Sequence, residues 1–447
     1  FSIATLFATI FPLGLNGVLV KFIPEYRKEP DNKGFLGYII LLSLSFFILF
    51  SIIFYIFKNS FFSIYYNNSR LLWDFSYYVL PISMFIGFSN LLGVYLFSTF
   101  RSTIPTLVND VVIRIYSVLI TSLYFLHLYS LFAYVFLFAI GFLLQLIVLL
   151  FYITKKDGKG VFSLSNELKT YENFRRFMKF AFSMSLITIS SMAMKNIDVL
   201  MIGKYLSLKD VAVYSIAILI SSLIELPASA LGKVADGKIS DYFLSNDWEN
   251  LRKIYFQSTK ILFYVGCFLF LLINVNIIQL LNFLPSKYQN GAVIVNIVSL
   301  SALSNMSTGI NSSMLLYTNK NKQITILLIA LLLLMITLNL FLIPSFGLKG
   351  AAFSVAISFI FFNSMKSAMI YYYFKLNPFD SFFLKICIVT LLSYVSISLI
   401  KCPIGMIDII VKSILSALVF ALILIVNPSL SEEKQKLWNF FKFVLKK

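Results

Sequence analysis

The sequence predicts an all-α polytopic membrane protein, and three observations predict it. The 447 residues are 59% hydrophobic and 13% charged, with a mean hydropathy of +0.88. The apolar residues gather in long runs, and those runs show no period-two alternation. A soluble domain of this size would carry a far more charged surface, because no core absorbs so much apolar side chain without leaving a large exposed patch. A bilayer solvates such a patch. Within hydrocarbon only helices and closed barrels satisfy the backbone, and runs of this length without alternation exclude barrel strands.

A spanning helix needs about 20 mainly apolar residues. Thirteen runs qualify: 1–22, 35–57, 74–97, 107–126, 130–153, 178–202, 211–232, 258–281, 291–316, 323–343, 350–374, 382–400 and 404–426. Phe (48) and Tyr (25) are abundant, and Tyr152, Tyr205 and Tyr371 to Tyr373 stand near run ends, where an interfacial aromatic belt would lie. The longest polar break, 154–177, is expected to be a cytoplasmic linker between an N-terminal lobe (1–153) and a C-terminal lobe (178–375). Two additional spans (376–426) and a basic tail (427–447) follow. The tail, with Trp438, Phe440 and Phe441, reads as an amphipathic surface helix.

Charge sets the topology. Most of the 37 Lys and Arg fall after the first, third, fifth, seventh, ninth and eleventh runs and in the tail. Positive loops stay cytoplasmic, so the C-terminus is expected inside and the start of the first run outside. The chain begins within an apolar run, and one missing N-terminal helix would complete a fourteen-span plan with both ends inside. The net charge of +18 is thus a topology signal. Its dispersal over loops argues against nucleic acid as a partner. Cys267, Cys387 and Cys402 lie far apart and His127 is alone, so neither metal ligation nor nucleophilic catalysis is indicated. No connection exceeds about 25 residues, which leaves little room for an extramembrane catalytic domain.

The halves read as a duplication. IPEY (Ile23 to Tyr26) after the first run is matched by ISDY (Ile239 to Tyr242) after the seventh. YLFSTFRSTIPTL with Arg101 is matched at nearly the same offset by LLYTNKNKQITIL with Lys320. Both copies fall on one side, which implies parallel repeats: two pseudo-symmetric six-helix lobes around a central cavity, plus two extra C-terminal helices.

Four segments carry a family resemblance: GLNGVLVKFIPEY, NIDVLMIGKYLSLKDVAVYSIA, LPASALGKVADGKIS and LIPSFGLKGAAFSVAIS. In them the chain resembles the polysaccharide-export branch of the multidrug/oligosaccharidyl-lipid/polysaccharide flippase superfamily, over most of residues 1–375. The resemblance implies twelve or fourteen spans and a two-lobed cavity. It also implies export of polyprenyl-diphosphate-linked oligosaccharides across the cytoplasmic membrane by alternating access, alongside polysaccharide-assembly proteins. A drug/cation antiporter or a peptidoglycan-precursor flippase of the same superfamily is the alternative, and an integral-membrane glycosyltransferase or polymerase stands behind them. No cofactor is implied. Energy must come from an ion gradient, the membrane potential or a partner, with H+ or Na+ as the coupling candidates.

The candidate site residues are the charged groups inside spans, where each costs about 2.5–3.5 kcal/mol on insertion scales and so seeks a cavity or a partner. Asp110 and Arg114 share a helix face at i,i+4, and Lys195 and Asp198 at i,i+3. With both faces on the cavity, Arg114 and Lys195 would meet a diphosphate; otherwise each pair is a locally neutralised structural contact. Glu225, two residues before Pro227, is a candidate proton or cation site, or else an interfacial Glu. Lys366 either lines the cavity or snorkels to the surface. Asp408 and Lys412, outside the repeats, read as a structural pair. Asn196, Asn305, Asn311 and Asn339 supply hydrogen-bonding groups for sugar or helix–helix contacts. Gly232 to Lys238 (GKVADGK) fits a phosphate-loop pattern, but Ile239 stands where Ser or Thr is required and an apolar span precedes it, so the match is read as chance.

Overall fold

The computed structural model describes residues 1–27, 34–66, 70–99, 101, 103–163, 171–317, 321–400, 402 and 405–426. The tail helix expected at 427–447, Lys320 and part of the 154–177 linker lie outside them. Among the described residues every regular element is helical. In chain order the main helices are α1 (Ser2–Ile10), α2 (Leu15–Arg27), α3 (Phe35–Tyr66), α4 (Val79–Ser98), α5 (Ile113–Phe125), α6 (Leu131–Asp157) and α7 (Tyr171–Tyr205). Then come α8 (Leu208–Ser222), α9 (Leu226–Leu244), α10 (Trp248–Asn282), α11 (Gly291–Ser307) and α12 (Asn311–Tyr317). The last are α13 (Asn321–Phe374), α14 (Ser381–Ser398) and α15 (Gly405–Val426).

Each of the thirteen apolar runs is occupied by helix. Among the described residues ten helices are long and apolar enough to cross a membrane, or eleven if the bent pair α1–α2 is one span. The other two runs are accounted for by breaks. α13 holds two of them, joined at Gly347 with φ 58°. There the chain folds back so tightly that a Cβ at Gly350 would lie 1.9 Å from the Leu342 carbonyl oxygen. The run 291–316 is split between α11 and α12. The outward faces are apolar: Ile407, Ile410, Ile414, Leu418 and Leu422 form an exposed stripe along α15. With Ile48, Ile52 and Ile56 on α3 also exposed, this surface suits lipid, and the chain is a multi-pass membrane protein.

The chain divides into two compact units, Phe1–Lys204 and Tyr205–Lys447. This differs from the expected lobe limits, which placed 178–202 in the second half. Close contacts at two glycines accompany this difference. A Cβ at Gly14 would stand 2.1 Å from the Ala181 carbonyl oxygen, and one at Gly17 2.7 Å from Met184 Cγ, so α2 packs directly on the backbone of α7. Leu15, Leu19 and Phe22 join Leu36, Ile39, Leu91, Leu149, Ile153, Phe177 and Ala181 in the core of the first unit. At one end of this unit Arg101 Nη1 donates to Asp157 Oδ1 at 2.6 Å and Tyr95 to Asp157 Oδ2 at 3.1 Å, tying α6 to the end of α4. That hydrogen bond pushes the Arg101 pKa up.

The second unit is built around α10. Phe263, Tyr264, Cys267 and Leu271 on α10 pack against Phe382, Phe383 and Ile386 on α14 and Phe420 on α15. Lys260 reaches Asp380 at 2.8 Å, and Asp380 caps α14 by accepting from the Phe382 amide at 3.0 Å. The Asp408–Lys412 pair is wholly buried at 2.7 Å. Its carboxylate also accepts from the Cys402 amide at 3.0 Å and from Gln279 of α10. The structural reading of this pair therefore fits its surroundings.

Two outcomes follow for stability in detergent, read as thermal unfolding. Gly14→Ala forces a side chain onto a φ of +76° and against α7, and should cost at least about 2 kcal/mol. Gly232→Ala, mid-helix with open space around it, should be neutral or stabilise by about 0.5–1 kcal/mol. Equal effects at the two positions would contradict the packing described. Asp408→Leu should cost about 3–5 kcal/mol by stranding Lys412, and the double variant with Lys412→Met should regain most of that loss. A double variant no better than the single would show that the pair is not the source.

Candidate functional site in the first unit

An open cavity of about 380 Å³, lined by both polar and apolar residues, lies in the first unit. It forms where the first span breaks. Pro12 lacks an amide hydrogen, Leu13 and Gly14 take φ of 43° and 76°, and α1 and α2 diverge by 52°. Thr9 on α1 and Asn16 on α2 therefore face the space from either side of the break. Asn90, Gly93, Val94 and Phe97 line it from α4, and Thr188, Ser191, Met192 and Lys195 from α7. Asn109 completes the lining from a π-helical turn, Val108–Val112, that precedes α5.

The lining offers both donors and acceptors. Asn109 Oδ1 accepts from Gln145 Nε2 of α6, which leaves its amide nitrogen for the cavity. Asn16 Oδ1 is buried without a hydrogen-bond partner. Thr9 and Thr188 donate to carbonyls of their own helices and keep their oxygen lone pairs available. Lys195 is exposed and, among the described residues, forms no ion pair with Asp198. Asp198 itself is 5% exposed. One ammonium among amides and hydroxyls can hold an anion, with hydrogen bonds left over for neutral polar groups.

The sequence-selected residues divide accordingly. Lys195 is in the cavity. Asp110 and Arg114 pair with each other at 3.7 Å, with side chains 57% and 76% exposed, and neither lines this cavity. The π turn explains the difference, because its extra residue turns Asn109 inward and leaves Asp110 and Arg114 on the open face. Thr9, Asn16, Asn90, Asn109, Thr188 and Ser191 were not singled out by sequence. Isolated Asn and Thr in apolar runs read equally well as helix–helix contacts, and only the break at Pro12 to Gly14 marks the place. Asn196 is buried and donates to the Met192 carbonyl of its own helix.

Lys366 and Glu225 belong to the second unit. Lys366 is 2% exposed, so it neither snorkels nor lines an open space. Its ammonium donates to Ser312 Oγ at 3.1 Å and lies 4.7 Å from the Phe362 ring centroid, within electrostatic reach of Glu225. Around it Asn311 donates to Ser367 and Asn363 to Ser304, at 3.1 and 3.2 Å. Asn339 is also fully buried. Among the described residues no three His, Cys, Asp or Glu side chains gather as a metal site. The GKVADGK segment lies within α9 and forms no loop.

Comparison with known proteins adds the family. A family described as polysaccharide biosynthesis protein matches residues 1–234. No curated protein sequence matches. Among solved structures, lipid II flippase MurJ in an inward closed conformation superposes with a TM-score of 0.73 at 17% identity, covering 94% of this chain and 90% of that one. An inward-facing multidrug resistance MATE family transporter of the MOP superfamily gives 0.65 at 14% identity, over 82% and 86%. The Vibrio cholerae MATE transporter VcmN in its bent form gives 0.56 at 10% identity, over 88% and 87%. At these identities the likeness is one of fold. The match across more than half of the sequence goes further, and this chain belongs to the polysaccharide biosynthesis protein family.

Proposed function

We propose that the chain is a flippase that carries a polyprenyl-diphosphate-linked oligosaccharide across the cytoplasmic membrane by alternating access, with its C-terminus in the cytoplasm. The observation that carries this reading is the cavity of the first unit, where among the described lining residues Lys195 is the charged group beside amide and hydroxyl side chains. The ammonium suits a diphosphate, and Asn16, Asn90 and Asn109 suit sugar hydroxyls. The lipid tail stays in the bilayer while the head crosses. Arg114, held by Asp110 outside the cavity, has no part in head binding in this reading. Glu225 beside Lys366 is its candidate for H+ or Na+ coupling.

Membership of the polysaccharide biosynthesis family and the MurJ-like fold both support this reading. A cation-exporting antiporter would gain from acidic cavity residues, and the described lining has none. It also lacks Cys, His and carboxylates, the groups that a glycosyl transfer site would draw on for acid–base or nucleophilic work.

The test is headgroup translocation in proteoliposomes with a lipid-diphosphate saccharide. Lys195→Glu should slow translocation at least about tenfold, as expected for losing a charge-assisted contact of about 1.5–3 kcal/mol, while Lys195→Arg should retain most activity. Full translocation by Lys195→Glu, or uptake of a cationic drug in place of the lipid head, would overturn the proposal.

A further inference from the structure

One end of the first unit is strongly basic. The C-terminal part of α2, the start of α3 and the start of α7 meet there at Phe177, whose ring centroid lies 5.1 Å from that of Phe22 and 5.5 Å from that of Phe35, and Ile153 brings the end of α6 into the same core. Six exposed cations stand at this end: Lys21, Lys155, Lys156, Arg175, Arg176 and Lys179. Of the acids there, Asp157 is taken by Arg101 and Tyr95, Glu172 is exposed, and Glu25 stands four residues after Lys21 on α2.

Two of these cations are laid on aromatic rings. Lys21 Nζ lies 4.2 Å from the Phe180 centroid and 5.3 Å from that of Phe22, and the Arg176 guanidinium is 4.6 Å from Phe22. Stacking holds both cations against the rings at this end. Beside them the surface is apolar, with Val20 58%, Phe182 66% and Phe174 39% exposed. Cations next to exposed apolar side chains, at the end of a membrane-spanning bundle, match an amphiphile whose phosphate and acyl chain leave its glycerol between them.

We infer that this end of the first unit is a binding site for the phosphate headgroup of an anionic phospholipid of the adjoining leaflet. Lys21 and Arg176 form the ordered floor of the site. Arg175 and Lys179, one helical turn apart on α7, supply the outer charge. The acyl chain lies along Val20 and Phe182. This site is separate from the Lys195 cavity and does not rest on the transport reading.

The experiment titrates the detergent-solubilised full chain with fluorescent-tailed phosphatidylglycerol, using phosphatidylcholine and inorganic phosphate as competitors. A juxtamembrane cation is worth about fivefold in affinity for an anionic lipid surface. Lys21→Gln with Arg176→Gln should therefore weaken binding at least about tenfold. Among the described residues Arg175 and Lys179 make no ring contact, so Arg175→Gln with Lys179→Gln should leave the fold intact and weaken binding about fivefold or more. Lys58→Gln, in the second half of α3 and away from this end, should leave it unchanged. Equal affinity in all three variants, or equal competition by phosphatidylcholine, would overturn the site. Complete displacement by millimolar phosphate would also overturn it, since the pocket would then be recognising a free ion and not a lipid.

Discussion

Hydrocarbon offers no hydrogen-bond partner, and every other feature of this structure answers to that constraint. It makes helix the only spanning element among thirteen apolar runs. It also leaves each polar group inside a span with few outcomes: a bond to its own helix, a partner on a neighbour, or a place on a wet cavity. Asn196 and Thr188 take the first route. Asp408 and Lys412 take the second, with a carboxylate that also accepts from Cys402 and Gln279. Lys195, beside the unpartnered Asn16 oxygen, takes the third.

The cavity exists because a helix is broken where another can close against it. Pro12, Leu13 and Gly14 interrupt the first span, and the missing Cβ of Gly14 lets the backbone of α7 approach. Space opens between Thr9 and Asn16, and α7 brings Lys195 to it. Broken spans with polar groups at the break are a recurrent way of holding a polar substrate at membrane depth. The π turn at Val108–Val112 adds Asn109 by the same means, a local departure from α geometry that redirects one side chain.

Much of this was legible in residue order. Hydropathy located the apolar runs that helices occupy, and Lys195, selected with Asp198 as an intramembrane charge, lines the cavity proposed as the site. The false phosphate loop was exposed by Ile239, and the segment proves to be helix. What eluded the sequence depends on geometry that periodicity assumes away. The i,i+4 spacing puts Asp110 and Arg114 on one face but does not say where that face points, and the structure leaves both exposed and paired beside the π turn. The polar break at 154–177 suggested a lobe boundary, yet glycine contacts bind α7 to the helices before it. Lys366 carries the same charge as a snorkelling lysine, and only the packing of Ser312 and Phe362 around it distinguishes the two.

The central claim is that the space around Lys195 is wet and takes the polar head of a lipid-linked substrate. The most direct measurement is thiol accessibility in a background with Cys267, Cys387 and Cys402 replaced. A cysteine placed at Ser191 should react readily with a water-soluble thiol reagent, and a lipid-diphosphate saccharide should protect it, while one at the exposed apolar Val118 should stay inert. A Ser191 cysteine as unreactive as that at Val118, or one indifferent to the saccharide lipid, would contradict the account.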